Sequence, residues 1–95
     1  ARGALASLLG TLEAAGPGGS MVRAQACFDR AREAAEGREA GVFVAEAEAL
    51  ASQNRTRFEH LLQTALDTAA RHPSLANEVM RERARWLLDT VEDRF

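Results

Sequence analysis

Lysine and tyrosine are absent from this 95-residue chain, so all 12 of its basic residues are arginine. A single cysteine, Cys27, excludes an internal disulfide, and no His/Cys set at metal-ligand spacing points to structural zinc. Prolines number only two and glycines seven, three of them in the one stretch Gly16-Pro17-Gly18-Gly19. No apolar run approaches the ~18 residues that a membrane-spanning helix needs. A basic excess is also missing: 12 basic against 14 acidic residues leave a net charge of −2. A nucleic-acid binder is expected to carry a basic stripe and a clear positive balance, so no nucleic-acid partner is expected. No secretory signal is visible and the chain opens on Ala1. That start predicts a processed product or a portion of a longer protein.

What is present is the vocabulary of helices. Alanine fills 20 positions and is joined by Leu, Arg and Glu, which leaves little for a β-sheet. Punctuation then divides the chain into five helical segments. The first runs from about Arg2 to Ala15 and ends at the Gly16–Gly19 breaker. Ser20 can cap the second, which places Ala24, Cys27, Phe28, Ala31 and Ala35 on one face and stops at Gly37. The third, about Glu39 to Ser52, is apolar nearly all round apart from Glu46 and Glu48, as expected of a helix buried between neighbours. Asn54, or a Thr56/Glu59 capping box, opens the fourth, with its stripe of Phe58, Leu61, Leu62, Ala65, Leu66 and Ala69. His72-Pro73 closes it. Ser74 or Asn77 opens the fifth, which should continue to Phe95 with Met80, Ala84, Leu87, Leu88 and Val91 facing one way.

The second and fourth helices align at an offset of 34 residues: Arg23 on Arg57, Phe28 on Leu62, Ala31 on Ala65, Glu33 on Asp67, Ala35 on Ala69. Paired helices at that period have tetratricopeptide spacing. Ala24, Phe28 and Ala31 reproduce its small-large-small second helix, and Leu9-Gly10 fits its first-helix step. The expected fold is therefore an all-α tetratricopeptide-like repeat. Residues 1–37 and 38–73 form two helix pairs, and 74–95 form a C-terminal capping helix. Two pairs are fewer than the three usually needed to stand alone, which predicts missing N-terminal repeats or a second subunit.

A catalytic constellation is not found. His60 and His72 lie twelve residues apart at opposite ends of one helix, and Glu59-His60 belongs to no zinc-binding motif. Cys27 reads as a small core hydrophobe rather than a nucleophile. The glycine loop has neither a preceding strand nor the tail of a phosphate loop. An enzyme, a metal and a cofactor are accordingly not expected. Glu78–Arg81, Glu82–Arg85 and Arg85–Asp89 read as a solvated charge ladder.

Two surfaces remain as contact candidates. On the last helix Leu75, Val79 and Trp86 project some 200° from the Met80 face, at ~100° per residue, which predicts a second neighbour. On the third helix Phe43, Ala47, Leu50 and Ala51, with Ala45 and Ala49, could make a smooth apolar groove for an extended peptide or an apolar small ligand. Core packing of Phe43, Ala47 and Leu50 is the competing reading.

Several segments resemble the C-terminal part of the TRAP transporter T component. They are Gln53-Asn54-Arg55, the run from Phe58 through Leu61-Leu62 to Ala65-Leu66-Asp67, Leu75-Ala76-Asn77, and Arg83-Ala84-Arg85-Trp86-Leu87-Leu88 with Phe95. The resemblance is densest from Phe43 to Phe95. It implies a non-enzymatic scaffold accessory to periplasmic solute uptake, lipid-anchored in its full length. Such a protein partners a solute-binding protein, handles apolar ligands and forms trimers, so a homo-oligomer is expected. Leu50-Ala51-Ser52 departs from the family's Val-Pro at that place, and Cys27, mid-helix, is not the lipid-bearing cysteine. The alternative is a generic tetratricopeptide interaction module with no transport role.

Overall fold

A computed structural model describes residues 3–15, 20–51 and 54–95. Among the described residues six helices follow one another: α1 (Ala4–Ala15), α2 (Met21–Ala35), α3 (Ala40–Leu50), α4 (Arg55–Arg71), α5 (Leu75–Asp89) and the single turn α6 (Val91–Arg94). They pack in pairs as an all-α, tetratricopeptide-like arrangement, with no strand among the described residues. The Cα atoms fill a slab of 36 × 32 × 16 Å. Its thickness suits two helix layers about 10 Å apart. The expected breaker Gly16-Pro17-Gly18-Gly19, the helix start at Arg2, and Ser52 and Gln53 lie outside the described residues.

The helix ends are set by side chains. Ser20, Asn54 and Ser74 each accept a hydrogen bond from the backbone N–H three residues on, at Arg23, Arg57 and Asn77, satisfying donors the first turn leaves open. Asn54 is thus the cap of α4, and Glu59 instead pairs with Arg55 at 3.1 Å. α2 ends in a left-handed turn at Glu36 and Gly37, where Gly37 N–H reaches back to the Arg32 carbonyl.

α3 is the centre of the packing, touching α1, α2, α4 and α5. The main core joins Val44 and Ala47 of α3, Phe58, Leu61, Leu62 and Ala65 of α4, and Ala84 and Leu87 of α5. A smaller cluster joins Ala31 and Ala35 of α2 to Val42. At Gly10, α1 approaches α2 so closely that a Cβ would sit 2.7 Å from the Phe28 ring.

The last helix is not continuous to Phe95. At Thr90 the backbone leaves helical geometry (φ −106°, ψ 14°), and the Thr90 hydroxyl donates to the Trp86 carbonyl. The chain then turns back as α6. This brings the Phe95 ring edge-on to Phe58 at 5.4 Å, Arg94 over the same ring at 5.1 Å, and Glu92 to Arg55 at 2.9 Å.

Candidate functional site

A cleft of about 520 Å³ opens where the N-terminal halves of α1, α3 and α5 converge. Ala4, Gly41, Val42, Ala76 and Met80 give it an apolar lining, and Ser7, Arg38, Glu39, Ser74 and Asn77 supply polar groups. Gly41 matters to its shape, because a Cβ there would lie 3.2 Å from Met80 Cγ. Farther along the α1–α3 seam, Thr11, Ala14, Ala45, Glu48 and Ala49 border a second, smaller opening. The i, i+4, i+7 rows Ser7–Thr11–Ala14 and Gly41–Ala45–Glu48 therefore form the two walls of one valley.

Asn77 holds the cleft together. The N-cap of α3, Glu39, makes no capping bond with its side chain. Asn77, buried on α5, does this from a distance: its Oδ1 accepts the Ala40 N–H at 3.0 Å. Its Nδ2 donates to the carbonyls of Arg38 and His72 at 2.9 and 2.7 Å. One amide thus joins the start of α3, the end of α4 and the start of α5, with its hydrogen-bonding capacity nearly used up.

The groove residues named from sequence are placed mostly inside. Phe43, Ala47 and Ala51 are buried in the core and Leu50 is half-buried. Helix geometry gives the reason: alanines two apart on a helix point about 200° from one another. Ala45 and Ala49 border the valley, while Ala47 and Ala51 face α4. Leu75, Val79 and Trp86 are each more than half exposed. Arg83 stacks over the Trp86 ring at 5.8 Å and holds Glu48 of α3 at 2.7 Å. His60 and His72 are exposed, and the Cys27 thiol is free and buried.

Two features escaped the reading from sequence. Glu46 is fully buried, and Arg32 from α2 and Arg57 from α4 hold its carboxylate at 2.5 and 3.2 Å. Arg57 also donates to the Gln25 amide oxygen, and Arg32 lies over the Phe43 ring at 5.6 Å. The pattern left only a hint, one of two carboxylates on an otherwise apolar helix. The second feature is the outer face of α1, where Leu5, Leu8, Leu9 and Leu12 are all exposed.

Among the described residues no group of three His, Cys, Asp or Glu comes together as a metal site, and no helix is long and apolar enough to cross a membrane. The family model for the TRAP transporter T-component matches residues 1–95. The chain belongs to the TRAP transporter T-component family. No curated protein and no solved structure was found to match. The T component is an accessory of a transport system rather than an enzyme family, and membership associates the chain with TRAP transport.

Proposed function

We propose that this T component is a periplasmic scaffold of TRAP-type solute uptake. It docks a solute-binding protein and holds an apolar small ligand in the cleft between α1, α3 and α5. The observation that carries the reading is the cleft itself, largely apolar, with polar groups of Ser7, Arg38 and Glu39 in its lining. That is the composition of a site that takes an apolar body and orients it by a few polar contacts. Leu75, Val79 and Trp86, on the same helix as Met80, form the docking edge for the partner. Family membership supports the transport context. Periplasmic placement and a lipid anchor in the full-length protein belong to the same proposal.

Two measurements test it. Tagged protein is used to capture solute-binding proteins encoded in the same genome; specific capture that weakens in Trp86→Ala is expected, and failure with every candidate removes the docking role. For the ligand, protein exposed to a lipid extract is repurified and its bound molecules are weighed by mass spectrometry. Ala76→Trp, which fills the cleft from an exposed position, should lower recovery severalfold. Equal recovery from both folded proteins removes the ligand role.

A further inference from the structure

Ser7 of α1 borders the cleft and is only 8% exposed, yet its Oγ has no hydrogen-bond partner in the protein. Among the described residues one other buried side-chain polar atom shares this condition, Arg32 Nε, and that guanidinium is already bound to Glu46 through Nη2. Burying a hydroxyl without a partner costs stability, so such groups are few in a folded protein.

The helix offers Ser7 a remedy that it does not take. Hydroxyls inside helices can donate to the carbonyl four residues back. Thr11, Thr64 and Thr68 all do so, at 3.0, 2.9 and 2.8 Å. The equivalent acceptor for Ser7 is the Gly3 carbonyl, which takes the Ser7 backbone N–H at 2.9 Å and nothing from the hydroxyl.

The other polar groups of the cleft are engaged. Both ends of the Asn77 amide are bonded to backbone, and the Ser74 Oγ accepts the Asn77 N–H at 3.0 Å. The Glu39 carboxylate accepts from Gly3 N–H at 3.3 Å, and Arg38 pairs with Glu36 at 3.9 Å. Arg38 and Glu39 thus balance one another within the lining, and Glu36 beside it takes up Arg38. A charged head group gains no unopposed partner there. What the lining leaves over is one hydroxyl, able both to donate and to accept, in company with Ala4, Val42 and Met80.

We propose that Ser7 selects the ligand of this cleft, an uncharged amphiphile whose hydroxyl or carbonyl oxygen bonds to Ser7 Oγ while its hydrocarbon body lies along Val42 and Met80. This rests on the reading of the cleft as a site for an apolar ligand and adds the polar group which that ligand carries. The hydroxyl turns about a single bond, χ1, so it meets the ligand without movement of α1. Met80, unbranched and adaptable, is the part of the lining that yields to admit it.

Isothermal titration of the protein with 1-octanol and with octanoate, together with thermal denaturation, tests this. The parent should bind 1-octanol more tightly than octanoate. Ser7→Ala should lose about tenfold in affinity for 1-octanol, the worth of one hydrogen bond. Its melting temperature should not fall, because alanine removes an unpartnered hydroxyl and is the better helix former. Ala76→Trp should lose 1-octanol binding with the cleft filled. Equal 1-octanol affinity in the parent and Ser7→Ala overturns the role of Ser7 and leaves the apolar cleft standing, as does a preference for octanoate. A Ser7→Ala protein that melts well below the parent overturns it too, since the hydroxyl then serves the fold. Binding of 1-octanol that survives Ala76→Trp lies outside the cleft and counts equally against the proposal. A parent that binds neither probe removes the ligand reading of the cleft and this inference together.

Discussion

At the scale of single residues, Glu46 and Gly10 show how much the helix contacts depend on one side chain or on its absence. Glu46 is a buried carboxylate satisfied by arginines of two other helices. Glu46→Gln would keep the shape and remove the charge, leaving both guanidiniums without their counterion. Removing one partner of a buried pair costs about 3–5 kcal/mol, and because both arginines reach solvent the expected loss here is about 2 kcal/mol. Chemical denaturation measures it, and an unchanged midpoint would mean the arginines find water as good a partner. At Gly10, alanine brings a helix-propensity gain of about 1 kcal/mol but pushes a methyl into the Phe28 ring, an overpacking cost of about 1–3 kcal/mol. Gly10→Ala should therefore lose about 1 kcal/mol on balance. Stabilisation instead would show that the Phe28 ring can shift. The pattern of the sequence disclosed the glycine but not the carboxylate's role: Glu46's partners lie 14 and 11 residues away, on helices whose relative rotation no periodicity fixes.

At the scale of elements, two joints carry the arrangement. Asn77 caps α3 from α5. Asn77→Ala leaves a buried backbone N–H and two carbonyls unpaired, so a loss of at least about 1–3 kcal/mol is expected. Asn77→Asp, which retains the acceptor but not the donors, should fall between the parent and alanine in thermal denaturation. A loss in Asp equal to that in Ala would show that the two donated bonds matter most. The other joint ties the end of α1 to the start of α2 through Glu13. Hydrogen bonds from Arg23 first, and from the Ser20 backbone second, hold the Glu13 carboxyl below its ordinary value. A lowered folded value contributes stability that is present above the unfolded pKa and lost as pH falls through the folded one. The melting-temperature gap between the parent and Glu13→Gln should thus be full at neutral pH and shrink as pH drops below about 4. A gap that does not vary with pH would place Glu13's role in packing rather than charge. Helix existence, the Ser20 cap and the Gly37 stop were legible because each is written in neighbouring residues. The break at Thr90 was not, because it depends on the hydroxyl of one threonine and on Phe95 finding Phe58.

At the scale of the whole molecule, the 34-residue offset between Phe28 and Leu62 was enough to anticipate an all-α paired arrangement, and the all-round apolar character of α3 anticipated its central place. The position of the cleft was not legible. Alternating alanines look like one smooth wall in sequence, yet on the helix Ala45 and Ala49 border the opening while Ala47 and Ala51 close the core. The cleft also depends on Gly41 admitting Met80, a contact between helices 39 residues apart. The central place of α3 also has a kinetic consequence. Because α3 packs against all four other long helices, and the direct contact between the pairs is slight beside it, α1–α2 and α4–α5 are joined chiefly through α3. Shortening Ala47 to glycine should therefore slow refolding by nearly as much as it lowers stability, whereas shortening Val91, at the edge, should mainly speed unfolding. Stopped-flow refolding of the two variants separates the cases: comparable slowing in both would show that the chain assembles from its ends rather than from its middle.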